Sequence, residues 1–174
     1  MDPTANDDGG GREIDFDRLF RAEYGRVVAV AQRVLGDRVE AEDVAQEVFI
    51  DFHRRHPARA GFAAAWLHTA AAHSALNRIR GRRRRERREL AESRRDVRPE
   101  QDPGRLLEER MDRERVRRAL ARLPERSASI LALRYSGLSY AEVGAALGLS
   151  PGSVGTLLRR AEIRLRQEMG DATP

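Results

Sequence analysis

Apolar residues recur at helical spacing along most of the chain. Phe16, Leu19, Phe20, Tyr24, Val27, Val30, Ala31 and Val34 trace one face of a first helix, and Gly36-Asp37 ends it. Asp37 then offers an N-cap. Ala41, Val44, Ala45, Val48, Phe49 and Phe52 mark the inward face of a second helix, whose opposite face carries Glu40, Asp43, Glu47 and Asp51. The stretch His53 to Gly61, with Pro57, reads as a loop, and Phe62 to Arg80 as a third, Ala-rich helix. No alternating β-branched run occurs, so the pattern predicts an all-α fold.

From residue 87 the apolar positions thin out, and Pro99, Pro103 and Gly104 interrupt any period, which predicts a flexible linker. Val116, Ala119, Leu120 and Leu123 open a second apolar set; Ile130, Leu131 and Leu133 continue it past Pro124 to a turn at Gly137. The expected organisation is a disordered leader 1–13, a helical domain 14–86, a linker 87–111, a second helical domain 112–169 and a tail 170–174.

Within the second domain, Ser139-Tyr140-Ala141-Glu142 has the form of a capping box. Ser150-Pro151 reads as an N-cap followed by proline at the first helical position. Between them, Leu147-Gly148-Leu149 supplies a glycine suited to a left-handed turn. Two capped helices about a tight glycine turn make a helix-turn-helix. If Val154, Leu157 or Leu158, Ala161 and Leu165 face inward, then Gly152, Ser153, Thr156, Arg159 and Arg160 face outward. Small residues permit close approach to a major groove, hydroxyls bond base edges or phosphates, and Arg can take guanine bidentately. An ordinary antiparallel helix pair is the competing reading; the caps, the turn and the basic face together favour DNA.

Composition sharpens this picture. The 174 residues carry a net charge of +5, and all 33 basic residues are Arg. The charge is local: residues 1–77 sum to −4, residues 78–95 to +7 and the remainder to +2. A guanidinium-rich block suits an anionic partner, although a lysine-free chain equally fits a GC-rich coding sequence. The absence of cysteine excludes disulfides and thiol chemistry and fits a reducing compartment. With no apolar stretch near the roughly 20 residues a membrane span needs, and no signal peptide, the expectation is a cytoplasmic protein without membrane insertion. His53, His56, His68 and His73 lack metal-ligand spacing, and no nucleophile elbow or phosphate loop appears. No metal, cofactor, small-molecule substrate or catalytic activity is therefore expected.

Ala119-Leu120-Ala121-Arg122-Leu123-Pro124-Glu125, Leu133-Arg134-Tyr135, Gly137 to Val143 and Leu149-Ser150 resemble region four of the extracytoplasmic-function sigma factors, group IV of the sigma-70 family. The resemblance covers Asp112 to about Glu168 and implies recognition of the minus-35 promoter element, with Ser139, Ser150, Gly152, Ser153, Thr156, Arg159 and Arg160 at the DNA. The sequence departs at Gly155, where the family commonly has a basic residue.

Leu35-Gly36-Asp37 with Ala41 to Phe49 resembles region two of the same family. That resemblance implies docking on core RNA polymerase through Asp43, Gln46, Glu47 and Phe49, the carboxylates forming a linear patch for a basic partner helix. The third helix resembles the segment that captures and opens the minus-10 element, which assigns Phe62, Trp66, His73, Asn77, Arg78 and Arg80 to that DNA, with the loop before it lining a base pocket. His73 stands where the family often has Asn, and Trp66 suits the core better than a stacking platform. Arg82, Arg83, Arg84 and Arg85 would hold phosphates. The implied partners are core RNA polymerase, promoter DNA and an anti-sigma factor. Two rival readings are a dimeric stand-alone helix-turn-helix regulator and an RNA-binding protein using the Arg block. The first lacks a dimerisation heptad or ligand pocket, and the second leaves the acidic helix unexplained.

Overall fold

The computed structural model describes residues 8–92 and 105–170, with side chains over 15–89 and 111–170. Among these residues there are seven helices and no strand: α1 Asp8–Leu35, α2 Arg38–Arg55, α3 Ala63–Glu92, α4 Arg105–Arg122, α5 Glu125–Tyr135, α6 Tyr140–Leu147 and α7 Pro151–Gly170.

The punctuation follows the expected chemistry. Gly36 takes a left-handed φ of +70° and its N–H donates to the Gln32 carbonyl at 2.8 Å, closing α1. The Asp37 carboxylate then accepts from the Glu40 N–H at 2.9 Å to start α2. Four boundaries differ from expectation. His53 to Arg55 continue α2, because no breaker intervenes before Pro57. α3 runs twelve residues past Arg80, since Arg is a good helix former and the run needs no apolar partner to stay helical. α1 begins inside the expected leader at Asp8, and α4 begins inside the expected linker at Arg105. Pro99, Pro103 and Gly104 lie outside the described residues.

Phe49, Phe52, Leu35, Leu67 and Leu76 fill the interior of the α1–α3 bundle, and Ile130, Leu133 and Leu138 that of the second half. The two halves are not separate bodies. Buried residues of both form one continuous cluster, and α3 lies against α4, α5 and α6 as well as α1 and α2. No helix among the described residues is long and apolar enough to cross a membrane.

Candidate nucleic-acid and polymerase-binding surfaces

The helix-turn-helix is held by paired local contacts. Ser139 Oγ accepts from the Glu142 N–H at 3.3 Å, while a Glu142 carboxylate oxygen accepts from the Ser139 N–H at 2.7 Å, completing the capping box. The Ser139 hydroxyl also donates to this carboxylate at 2.7 Å, so its hydrogen-bonding capacity serves the cap first. Gly148 adopts φ +63°, ψ +39° at the end of α6, and the Leu149 N–H donates back to the Gly144 carbonyl at 2.8 Å. Arg134 sits 5.5 Å from the Tyr140 ring centre and donates to the Leu138 carbonyl at 3.1 Å, bracing the turn between α5 and α6.

One determinant of this turn escaped the sequence reading. A Cβ on Gly144 would stand 2.8 Å from the Leu149 carbonyl oxygen, so a hydrogen is required there by close approach rather than by φ. The signal was available as a glycine four residues before the turn glycine.

In α7, Val154, Leu158 and Ala161 are buried, Leu158 more deeply than Leu157. Gly152, Thr156, Arg159 and Arg160 are exposed and Ser153 half-buried, so the five share an open face. Ser150 Oγ donates to Ser153 Oγ at 3.2 Å, joining two of the expected DNA contacts at the helix start. Gly155 does not share that face: a Cβ there would approach the Tyr140 ring at 3.4 Å.

α3 divides the residues expected at the minus-10 element between two flanks. Trp66 lines an open groove shared with Ile50, Asp51, Arg54 and Ser74. Asn77, Arg78, Arg82 and Arg85 continue along the same side beside Glu40. Phe62 is exposed at its upper end, its ring 5.3 Å from His56, which also meets Trp66 at 5.3 Å. Trp66 packs 5.4 Å from the core ring of Phe52 and is half-buried, serving core and groove together. His73 and Arg80 lie elsewhere. His73 Nε2 is 3.3 Å from Glu125 of α5, and Arg80 donates to the Leu123 carbonyl at 3.1 Å. The structure thus places Trp66, with Phe62 near it across His56, and Asn77 with Arg78 in two grooves that meet at Ser74 along one side of α3, and sets His73 and Arg80 against the second half.

The Arg run is similarly split. Arg82 pairs with Glu40 and Arg83 is half-buried beside Arg122 and Glu168, its pKa lowered by that burial and by Arg87. Arg84 and Arg85 point to solvent. A helix cannot aim four consecutive side chains one way.

On α2, Asp43, Gln46 and Glu47 are exposed, and Glu47 accepts from Arg78 at 2.7 Å. Phe49 corrects the expectation. It is 2% exposed, with ring centres of Phe20 at 4.9 Å and of Phe16 and Tyr24 at 6.2 Å, and offers nothing to a partner. The next residue, Ile50, is 52% exposed, and Val39 is 70% exposed. Val39, Asp43, Gln46 and Ile50 follow the i, i+4, i+7, i+11 spacing of one helical stripe, so the acidic patch is framed by apolar residues. That spacing could have been read from the sequence.

Residues 19–85 match the Sigma-70 region 2 family and residues 113–165 the Sigma-70 region 4 family. The chain is 34% identical over 164 residues to the ECF RNA polymerase sigma factor SigL of Mycobacterium tuberculosis, covering 87% of this chain and 91% of that one. It is 33% identical over 155 residues to the ECF RNA polymerase sigma factor SigE of Mycolicibacterium smegmatis, where it spans 87% of this chain and 60% of the relative's length. Among solved structures, it is similar in fold to CnrH in complex with the cytosolic domain of CnrY, with a TM-score of 0.55 at 24% identity, covering 94% and 93% of the two chains. It is similar in fold also to the sigma factor RpoE in complex with the anti-sigma factor NepR from Bartonella quintana, with a TM-score of 0.51 at 20% identity, covering 91% and 99%.

Proposed function

Because the chain belongs to the ECF RNA polymerase sigma factors of the sigma-70 family, we propose that it is an alternative, group IV specificity subunit that binds core RNA polymerase in the cytoplasm and directs promoter-specific initiation. Residues 14–86 dock on core enzyme and open minus-10 DNA, and residues 112–169 read the minus-35 duplex. An anti-sigma factor restrains the chain. It performs no catalysis of its own.

The observation that carries this reading is the exposed face of Gly152, Ser153, Thr156, Arg159 and Arg160 on the helix after the glycine turn, in the same chain as an open α2–α3 groove. Asp43, Gln46 and Glu47, with Ile50 in place of the buried Phe49, contact polymerase. Phe62, Trp66, Asn77 and Arg78 take the minus-10 strand: stacking on an aromatic ring offsets the few kcal/mol of unstacking a base, and Arg supplies phosphate affinity. Arg84 and Arg85 hold phosphates without reading sequence.

Run-off transcription from the chain's own promoter with purified core polymerase tests the proposal. Product is expected only when the chain is added; equal product in its absence overturns it.

A further inference from the structure

Arg82 and Arg83 have no part in the promoter reading above. Unlike the exposed Arg84 and Arg85, they are half-buried and line a cavity of about 240 Å³ between α3 and α4. Glu86 joins them from α3, and Glu114, Arg117 and Arg118 face them from α4. On each helix the two arginines lie three and four residues from the glutamate, so all three share one helical face. Ile79 and Ala121 supply apolar wall beside them.

The charge of this cavity does not balance. Four guanidiniums meet two carboxylates, an excess of two. Adding the groups that act on them, Arg87 and Arg122 against Glu40 and Glu168, makes six against four and leaves the same excess. Glu114 is divided between Arg117 Nη2 at 2.7 Å and Arg118 Nε at 3.2 Å. Arg82 pairs with Glu40, and Arg83 forms no salt bridge among the described residues. Burial, Arg87 and Arg122 together lower the Arg83 pKa, the mark of a cation short of counter-charge. Arg117 Nε, on the same wall, is buried with no acceptor among the described residues, where such donors are normally satisfied.

We infer that this cavity binds the di- or triphosphate group of a small anionic ligand, either free inorganic pyrophosphate or the tail of a nucleotide whose base stays outside.

The ligand class follows from three properties. Guanidinium forks take phosphate oxygens in pairs, and arginines on two facing helices can grip one group from opposite sides. A single carboxylate ligand would leave part of the excess charge uncompensated, whereas a multivalent phosphate cancels it; Glu86 and Glu114 further select against weakly charged anions. The volume falls below the roughly 300–1,000 Å³ of pockets that enclose drug-sized ligands, which suits phosphates and not a whole nucleoside. The site needs neither polymerase nor promoter DNA, so it stands or falls apart from the sigma reading.

Isothermal titration calorimetry on the full-length protein, at fixed ionic strength and without magnesium, tests it with pyrophosphate, ATP and sulfate. Pyrophosphate is expected to bind one to one, and tighter than sulfate by about tenfold or more. ATP as tight as pyrophosphate or tighter assigns the nucleotide tail as the source; weaker ATP assigns the free anion. Arg83→Gln and Arg118→Gln should each weaken binding by about tenfold. Arg118 is 60% exposed, so its loss does not threaten the fold, and Arg118→Lys, which keeps the charge without the fork, should recover part of the affinity. Arg126→Gln removes an equal charge from an exposed position on α5 outside the cavity and should leave affinity within about twofold. The site is overturned by no saturable binding of either phosphate ligand, by sulfate binding as tightly, by an equal loss in Arg126→Gln, or by displacement of pyrophosphate with duplex DNA lacking terminal phosphates.

Discussion

His68 on α3 and Glu23 on α1 meet at 2.9 Å in a site where the imidazole is only 2% exposed. Burial pushes the His68 pKa below its ordinary 6.5; Glu23 opposes that shift and Arg26 reinforces it. The fold therefore favours the neutral ring. The unfolded chain binds the proton more readily, so stability is complete above pH 6.5 and falls as pH drops below that value. Glu142 adds a second, lower window. The Arg26 hydrogen bond, with those from Ser139, holds its carboxyl at about 2 instead of 4.5, so its contribution is present above pH 4.5 and is lost as pH falls toward 2. Urea midpoints at pH steps from 8 to 3 should show both declines, and His68→Gln should flatten the upper one alone. An unaltered upper slope in that variant would show that another group titrates there.

Gly144→Ala should damage the helix-turn-helix although alanine is the better helix former. Its methyl would press the Leu149 carbonyl at 2.8 Å, a backbone atom that cannot swing aside. Overpacking of this sort costs about 1–3 kcal/mol, and a fall of several degrees in Tm is expected. Gly152→Ala, where a Cβ meets nothing within 4 Å, is the control and should leave Tm close to that of the parent.

Phe49 and Ile50 should separate stability from binding. Phe49→Ala removes a ring from the cluster with Phe16, Phe20 and Tyr24 and should cost about 3–5 kcal/mol in chemical denaturation. Ile50→Ala, on the exposed stripe with Asp43 and Gln46, should leave the melt within about 0.5 kcal/mol. It should weaken capture of core polymerase by about tenfold, the equivalent of 1.4 kcal/mol. Binding isotherms with purified core enzyme decide the matter: full affinity in Ile50→Ala would remove this stripe from the interface.

Arg159 and Arg160 should differ from Arg84 and Arg85 in what they control. Loss of a guanidinium that reads a base costs about 1–3 kcal/mol and relaxes preference at one position, whereas loss of a phosphate contact weakens all sequences alike and lowers the salt slope by about 1. Selection of minus-35 duplexes with Arg159→Ala or Arg160→Ala should therefore yield an altered preference. Arg84→Ala with Arg85→Ala should leave preference intact while flattening the salt dependence of promoter binding.

Local chemistry was legible where one residue dictates one bond: the Asp37 cap, the Ser139–Glu142 box and the left-handed Gly148 follow from residue type and spacing alone. The inward face of α7 was readable from its period, with only the choice between Leu157 and Leu158 left to packing. Phe49 was misplaced because it ends a recognisable acidic segment, and resemblance carried it toward the partner although its own period with Val48 and Phe52 pointed inward. The length of α3 was hidden because an Arg run has the composition of a linker and the propensity of a helix. The association of the halves was not legible because the apolar period of each helix does not say which members of the shared cluster meet across the junction, and carbonyls, which every residue has, accept most of its hydrogen bonds.

α3 has 30 residues and is about 45 Å long at 1.5 Å per residue. It works as a beam loaded from both sides, with a groove along one flank and a bound half-protein along the other. A substitution on it therefore has no private address. On the proposed reading, changing His73 or Arg80 should alter how firmly the beam is clamped and changing Asn77 or Arg78 what it grips, with either expected to reach transcription through the same stiff rod. Phenotypes along this helix sort by the flank that a side chain leaves, every three to four residues, rather than by position in the chain.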